Sequence, residues 1–169
     1  SAKMAHALAE GGALAALYDA AELRTAEGDD GGGFGSDSDV ADQLAAVAKI
    51  ISMRAALGTE RDAFFVRRSG WDTHFDETSQ TAELLAEVDA ALRACRAELV
   101  AQGVWENTVV VEISDFARTI VSNGAGTDHA WGGTTFVAGG SVDGGRIFGD
   151  FPTSLAHGDA DDLILENGA

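Results

Sequence analysis

A single helical period constrains the fold of this chain most. Over residues 78–102, Thr81, Leu84, Leu85, Val88, Leu92, Cys95 and Leu99 recur at spacings of three and four, and Gly103 follows directly. Apolar residues at that spacing line one face of a helix, and a glycine readily takes the left-handed conformation that ends one. Two short apolar runs flank this helix, Ala63-Phe64-Phe65-Val66 before it and Thr108-Val109-Val110-Val111-Glu112-Ile113 after it. Both read as strands, the first a buried one and the second β-branched and apolar. Strands separated by a long helix pair in parallel through a crossover, so the second is expected to be central and parallel to the first. Residues 134–138 read as a third strand and 144–149 as a shorter edge segment. Helix and strand in alternation imply a layered α/β fold.

Upstream, residues 2–26 are rich in Ala and Leu, with Met4, Leu8, Leu14, Leu17 and Ala21 roughly on one face and Gly11-Gly12 in the middle. That pattern suits one broken helix or two short ones. Residues 27–39 are acidic and glycine-rich, a composition that gains little by burial, and are expected to form a mobile loop. Their Asp spacing lacks the terminal Glu of a calcium loop. Ser38 can cap a helix carrying Val40, Leu44, Val47, Ile51 and Ala55 and ending at Gly58. At 169 residues the chain is expected to be one domain, and no apolar run approaches the roughly 20 residues of a membrane span.

The formal charge of −17, from 28 Asp and Glu against 11 Lys and Arg, repels nucleic acid and anionic lipid and favours cations. An anionic substrate would need a local arginine, for which Arg118 and Arg67-Arg68 are candidates. The single cysteine, Cys95, allows no internal disulfide and sits at an apolar helical position. The first residue is Ser and no charged-then-apolar leader precedes the first helix, which suits a removed leader or an excised piece.

Three polar clusters carry the chemistry. The first is Gly70-Trp71-Asp72-Thr73-His74, in which two ligand types two residues apart share one face of an extended segment; Asp72 and Thr73 could equally start the following helix. The second is Ser114-Asp115-Phe116-Ala117-Arg118-Thr119. Asp115 there is either an N-cap paired with Arg118, or a metal ligand or an orienting carboxylate, with Arg118 holding an anionic group. The third, Gly126-Thr127-Asp128-His129-Ala130-Trp131-Gly132-Gly133, sets a carboxylate beside an imidazole among glycines that permit a turn. Oxygen and nitrogen donors together suit zinc or manganese better than calcium; the alternative is a capping Asp beside a hydrogen-bonded His. Ser69 and Ser114 lack the Gly-x-Ser-x-Gly elbow of a serine hydrolase. His6 and His157 have no companion ligands nearby in sequence.

These clusters, with Asn123, Gly144-Gly145-Arg146 and Gly149-Asp150-Phe151-Pro152, resemble in order the DUF1501 family, which is related to the alkaline phosphatase and sulfatase superfamily. Ala117 and Ala130 stand where the family pattern has glycine. The resemblance covers residues 63–152 well and the two N-terminal helices loosely, and implies a three-layer α/β/α fold with a mostly parallel, alkaline-phosphatase-like sheet, of which this chain would be an incomplete, central part. It also implies a metal-dependent hydrolase acting on small anionic phosphate or sulfate esters, with an extracytoplasmic location. On that reading Asp128 and His129 bind a divalent metal, Asp72 and His74 supply further ligands, and Asp115 and Arg118 support catalysis. The competing expectation is a non-catalytic interaction or scaffold domain that keeps the fold.

Overall fold

A computed structural model gives the architecture and describes residues 2–25, 33–35, 38–119, 122–130, 133–150 and 153. The elements in chain order are α1 (Ala2–Ala20), α2 (Asp39–Ser52), α3 (Arg54–Leu57), α4 (Glu77–Ala101), a 3-10 turn (Trp105–Asn107), β1 (Val109–Val111), β2 (Ala117–Arg118), β3 (His129–Ala130) and β4 (Val137–Gly139). They divide into two compact units, Ser1–Arg68 with Ala86–Val104, and Ser69–Leu85 with Trp105–Ala169.

The first unit is helical. Alanine-rich α1 runs unbroken through Gly11-Gly12, favoured by its intrinsic propensity. Ser38 caps α2 by accepting from the Ala41 amide; the single helix expected up to Gly58 breaks at Met53 into α2 and α3, and α3 ends at Gly58 with φ 67°, the left-handed residue that ends a helix. Val40, Ala41, Leu44 and Ala48 of α2 and Ala91, Ala94, Cys95 and Leu99 of α4 form its buried apolar faces. Phe34, within the expected 27–39 loop, is also buried, while most of that segment lies outside the described residues.

Two polar side chains, Glu98 and Gln102, are buried among these apolar faces. Glu98 is 0% exposed. Its Oε2 accepts from the backbone amides of Arg24 and Thr25 and from the Thr25 hydroxyl, each at 2.8 Å, and its Oε1 accepts from Gln102 Nε2 at 2.8 Å. The chain leaving α1 is thereby fastened to α4. Burial alone would push the Glu98 carboxyl up, but these donors outweigh it and hold the group below the usual carboxylate range. Burial, with the neighbouring Glu98 charge, pushes the Cys95 thiol up to about 11.

The expected mostly parallel three-layer sheet is not what forms. Only two short antiparallel pairs occur among the described residues: β1 with β4, pairing Val109, Val110 and Val111 with Gly139, Ala138 and Val137, and β2 with β3, pairing Ala117 with Ala130 and Arg118 with His129. β1 is therefore neither parallel nor buried centrally, since Val109 and Val111 are exposed. Residues 63–66 form no strand, and Phe65 is 76% exposed. Gln43 explains part of this: its side chain donates to the Arg67 carbonyl and accepts from the Arg67 amide, both at 2.9 Å, taking the backbone groups a neighbouring strand would use. Residues 144–149 stay irregular because Gly145 and Gly149 adopt φ of 73° and 92°, outside strand geometry.

The second unit positions the polar clusters. Residues 116–119 do not begin a helix. Ser114 Oγ turns back on the Phe116 backbone, Ala117–Arg118 extends into β2, and the Thr119 amide donates to the Asp128 carbonyl at 2.8 Å. No described helix is long and apolar enough to cross a membrane.

Candidate metal centre

Three loops of the second unit converge. The Thr73 amide donates to the Trp71 carbonyl at 2.9 Å, and Thr73 is buried, so this tight turn leaves Asp72 and His74 on the outside. The chain then bends at Asp76, whose φ of 47° is a left-handed value that Asp tolerates better than most residues. Asp76 also starts α4, accepting the Ser79 hydroxyl at 3.0 Å on its side chain and the Gln80 amide at 3.2 Å on its carbonyl. The β2–β3 pair brings His129 from the opposite side.

Asp72 is the focus. Its Oδ1 lies 2.7 Å from His129 Nε2 and 2.8 Å from His74 Nε2. The imidazoles stack with centroids 5.3 Å apart, and Phe116 stacks on His129 at 4.1 Å, so His129 is held between two rings. Side-chain exposures of 61% for Asp72, 48% for His74 and 47% for His129 leave the group open to solvent. The hydrogen bond from His129, followed by the charge and hydrogen bonding of both histidines, holds the Asp72 carboxyl below its ordinary range against some desolvation.

Asp128 stands behind His74, with Oδ1 3.3 Å from His74 Nδ1 and 3.0 Å from its donor Asn123 Nδ2. The Asn123 bond is the main reason its carboxyl also lies below the ordinary range, with His74 adding to it. Asn123 in turn accepts the amides of Ala125 and Gly126 on Oδ1, which folds residues 122–128 into a braced turn. Gly126 is required by close approach, because a Cβ there would sit 2.8 Å from the His74 carbonyl oxygen.

Arg118 is engaged structurally. Its guanidinium donates to the carbonyls of Thr127 at 3.0 Å and Trp71 at 2.5 Å, and it lies 3.8 Å from Glu77 and 4.0 Å from Asp72. It ties two loops of the cluster together. Asp115 is exposed, and among the described contacts none joins it to the cluster. Trp131 and Gly132 lie outside the described residues, as do Phe151 and Pro152. Sequence reasoning did not single out Phe116 as the ring under His129, nor Glu77, whose carboxylate accepts the Thr127 hydroxyl at 2.5 Å. Asp72-x-His74 was visible as a spacing, whereas Phe116 gives no signal until the β2–β3 register is known.

The donor set fits a transition-metal cation. One atom each from Asp72, His74 and His129 lie within 4.8 Å of one another. Bonds of about 2.0–2.2 Å in a tetrahedral site put donors about 3.3 Å apart. The two Asp72–imidazole distances of 2.7 and 2.8 Å are those of hydrogen bonds, so a half-ångström separation would open such a site. Two nitrogens and one carboxylate suit zinc or manganese, and three protein ligands in an exposed position leave room for a water.

No curated protein and no solved structure matches this chain. The family model described as Protein of unknown function (DUF1501) matches residues 2–163, and the chain therefore belongs to that family.

Proposed function

We propose that Asp72, His74 and His129 form a divalent-metal centre of hydrolase type, with zinc or manganese as the ion and small phosphate or sulfate esters as the substrate class. The observation that carries this reading is the convergence of two imidazole Nε2 atoms on one carboxylate oxygen, at 2.7 and 2.8 Å, in a position open to solvent. The chain's charge of −17 adds a general attraction for cations. A bound ion would supply Lewis acidity, acidifying a water or polarising an ester oxygen. The chain's own residues hold the place for it. Phe116 and His74 fix the His129 ring by stacking, and Arg118 keeps the Trp71 and Thr127 backbones in position through its two carbonyl contacts.

A second reading is a scaffold domain without catalysis. It is favoured by the exposure of all three ligands and by the commitment of Arg118, the expected anion holder, to backbone carbonyls. Zinc and manganese titrations of the chain, with hydrolysis of aryl phosphate and aryl sulfate esters, separate the two. Metal-dependent turnover that disappears in Asp72→Ala supports the hydrolase; stoichiometric metal without turnover supports the scaffold; no metal binding removes the metal centre altogether.

A further inference from the structure

The adjacency of Asp128 and His129 in the chain suggests two ligands to one ion, but their side chains meet different atoms. Asp128 Oδ1 faces Nδ1 of His74, at 3.3 Å, on the opposite edge of the ring from the Nε2 that meets Asp72. His129, by contrast, meets Asp72 directly. We propose that Asp128 is a positioning residue: with a cation in place of the proton that His74 Nε2 shares with Asp72, it accepts a hydrogen bond from His74 Nδ1–H and so keeps the Nε2 lone pair toward the centre, while Asn123 holds Asp128 in place. This inference rests on the metal reading above.

The chemistry follows from the two nitrogens of an imidazole. A neutral ring carries one N–H, and an acceptor beside one nitrogen fixes the proton there and leaves the other as the ligand. The Asp128 oxygen on that edge is also occupied by the Asn123 amide at 3.0 Å, and Asn123 is held by the Ala125 and Gly126 amides, so the carboxylate has a fixed orientation. Thr119 adds a further tether, its hydroxyl accepting from the Asp128 amide at 3.1 Å. The same arrangement separates roles within the pair: the residue on the β2–β3 ladder is a ligand, and its neighbour supports the other histidine.

Cobalt(II) serves as the probe, since its visible spectrum reports the donor set separately from affinity. The wild-type chain, Asp128→Asn and Asn123→Ala would each be titrated, and His74 would be followed in the zinc-loaded chain by 15N shifts. The expected result for Asp128→Asn is an unchanged spectrum at saturation with affinity weakened about 10- to 100-fold, as for other supporting carboxylates. Asn123→Ala should weaken affinity in the same direction by less, and wild-type His74 should show metal at Nε2 and a proton at Nδ1. A cobalt spectrum altered in Asp128→Asn, unchanged affinity in that variant, or zinc on His74 Nδ1 overturns the positioning role while leaving the metal centre standing. Absence of cobalt binding by the wild-type chain overturns both.

Discussion

Glu98 and Asp72 are both carboxylates that gather several partners, yet they serve opposite ends. Glu98 is wholly buried and meets four donors, three of them on one oxygen and from the chain that follows α1. Asp72 is 61% exposed and shares one oxygen between two imidazoles. In the first case every partner is a fixed donor, so the carboxylate stabilises a fold. In the second the partners are themselves titratable bases in an open position, the arrangement on which the proposed metal centre rests. Burial among fixed donors makes an anchor, whereas exposure between two imidazoles leaves the Asp72 carboxylate accessible.

Substitution should separate them most sharply. Glu98→Ala leaves two backbone amides and a hydroxyl without their acceptor, and is expected to destabilise the chain by about 3 kcal/mol in urea unfolding. Asp72→Ala should change stability by less than about 0.5 kcal/mol, as an exposed substitution does, while removing metal binding. Equal losses of stability in the two variants would break the contrast.

Acid should act next. The Glu98 carboxyl is depressed in the folded chain, so its contribution is fully present above the unfolded value of about 4.3 and is lost as pH falls through the lower folded value. Unfolding measured from pH 7 down to pH 2 should show a fall below about pH 4.5 that is much reduced in Glu98→Gln. Gly126→Ala should have a smaller effect. Its Cβ meets the His74 carbonyl at 2.8 Å, and moving the 122–128 turn is expected to cost about 1–2 kcal/mol and to weaken metal binding through displacement of Asp128. The smallest change concerns Cys95, buried and with its thiol pushed up to about 11: an aromatic disulfide reagent should leave it unmodified at pH 7.5 until urea unfolds the chain, and prompt reaction in the native state would contradict its burial.

The helices were legible because their signals are local. The period over 78–102, the Ser38 cap and the glycines at 58 and 103 place α4 and the outer ends of α2 and α3 within a residue or two, but not the break at Met53 that divides the helix expected from Ser38 to Gly58. The strands were not, because runs of two or three residues acquire their state from whichever backbone they meet. The 63–66 run is apolar enough for a strand, but the neighbouring Arg67 backbone is claimed by a side chain, Gln43, which no periodicity reveals. Val109–Val111 pairs with a later segment in the antiparallel sense, where a helix crossover had suggested a parallel neighbour. The cluster shows the same division. Asp72, His74, Asp128 and His129 could be named from composition and order, but which of them meet depends on the pairing of Arg118 with His129, and Arg118 itself meets carbonyls where an anion had been expected.

Divalent-cation binding by Asp72, His74 and His129 is the proposal on which the functional reading rests. Calorimetric titration of the chain with zinc at pH 7.5, beside Asp72→Ala and Glu98→Gln, tests it most directly. About one zinc per chain is expected in the wild type and in Glu98→Gln under folded conditions, with binding weakened at least about 100-fold in Asp72→Ala. Equal zinc affinity in the wild type and Asp72→Ala, or no binding by either, would contradict it.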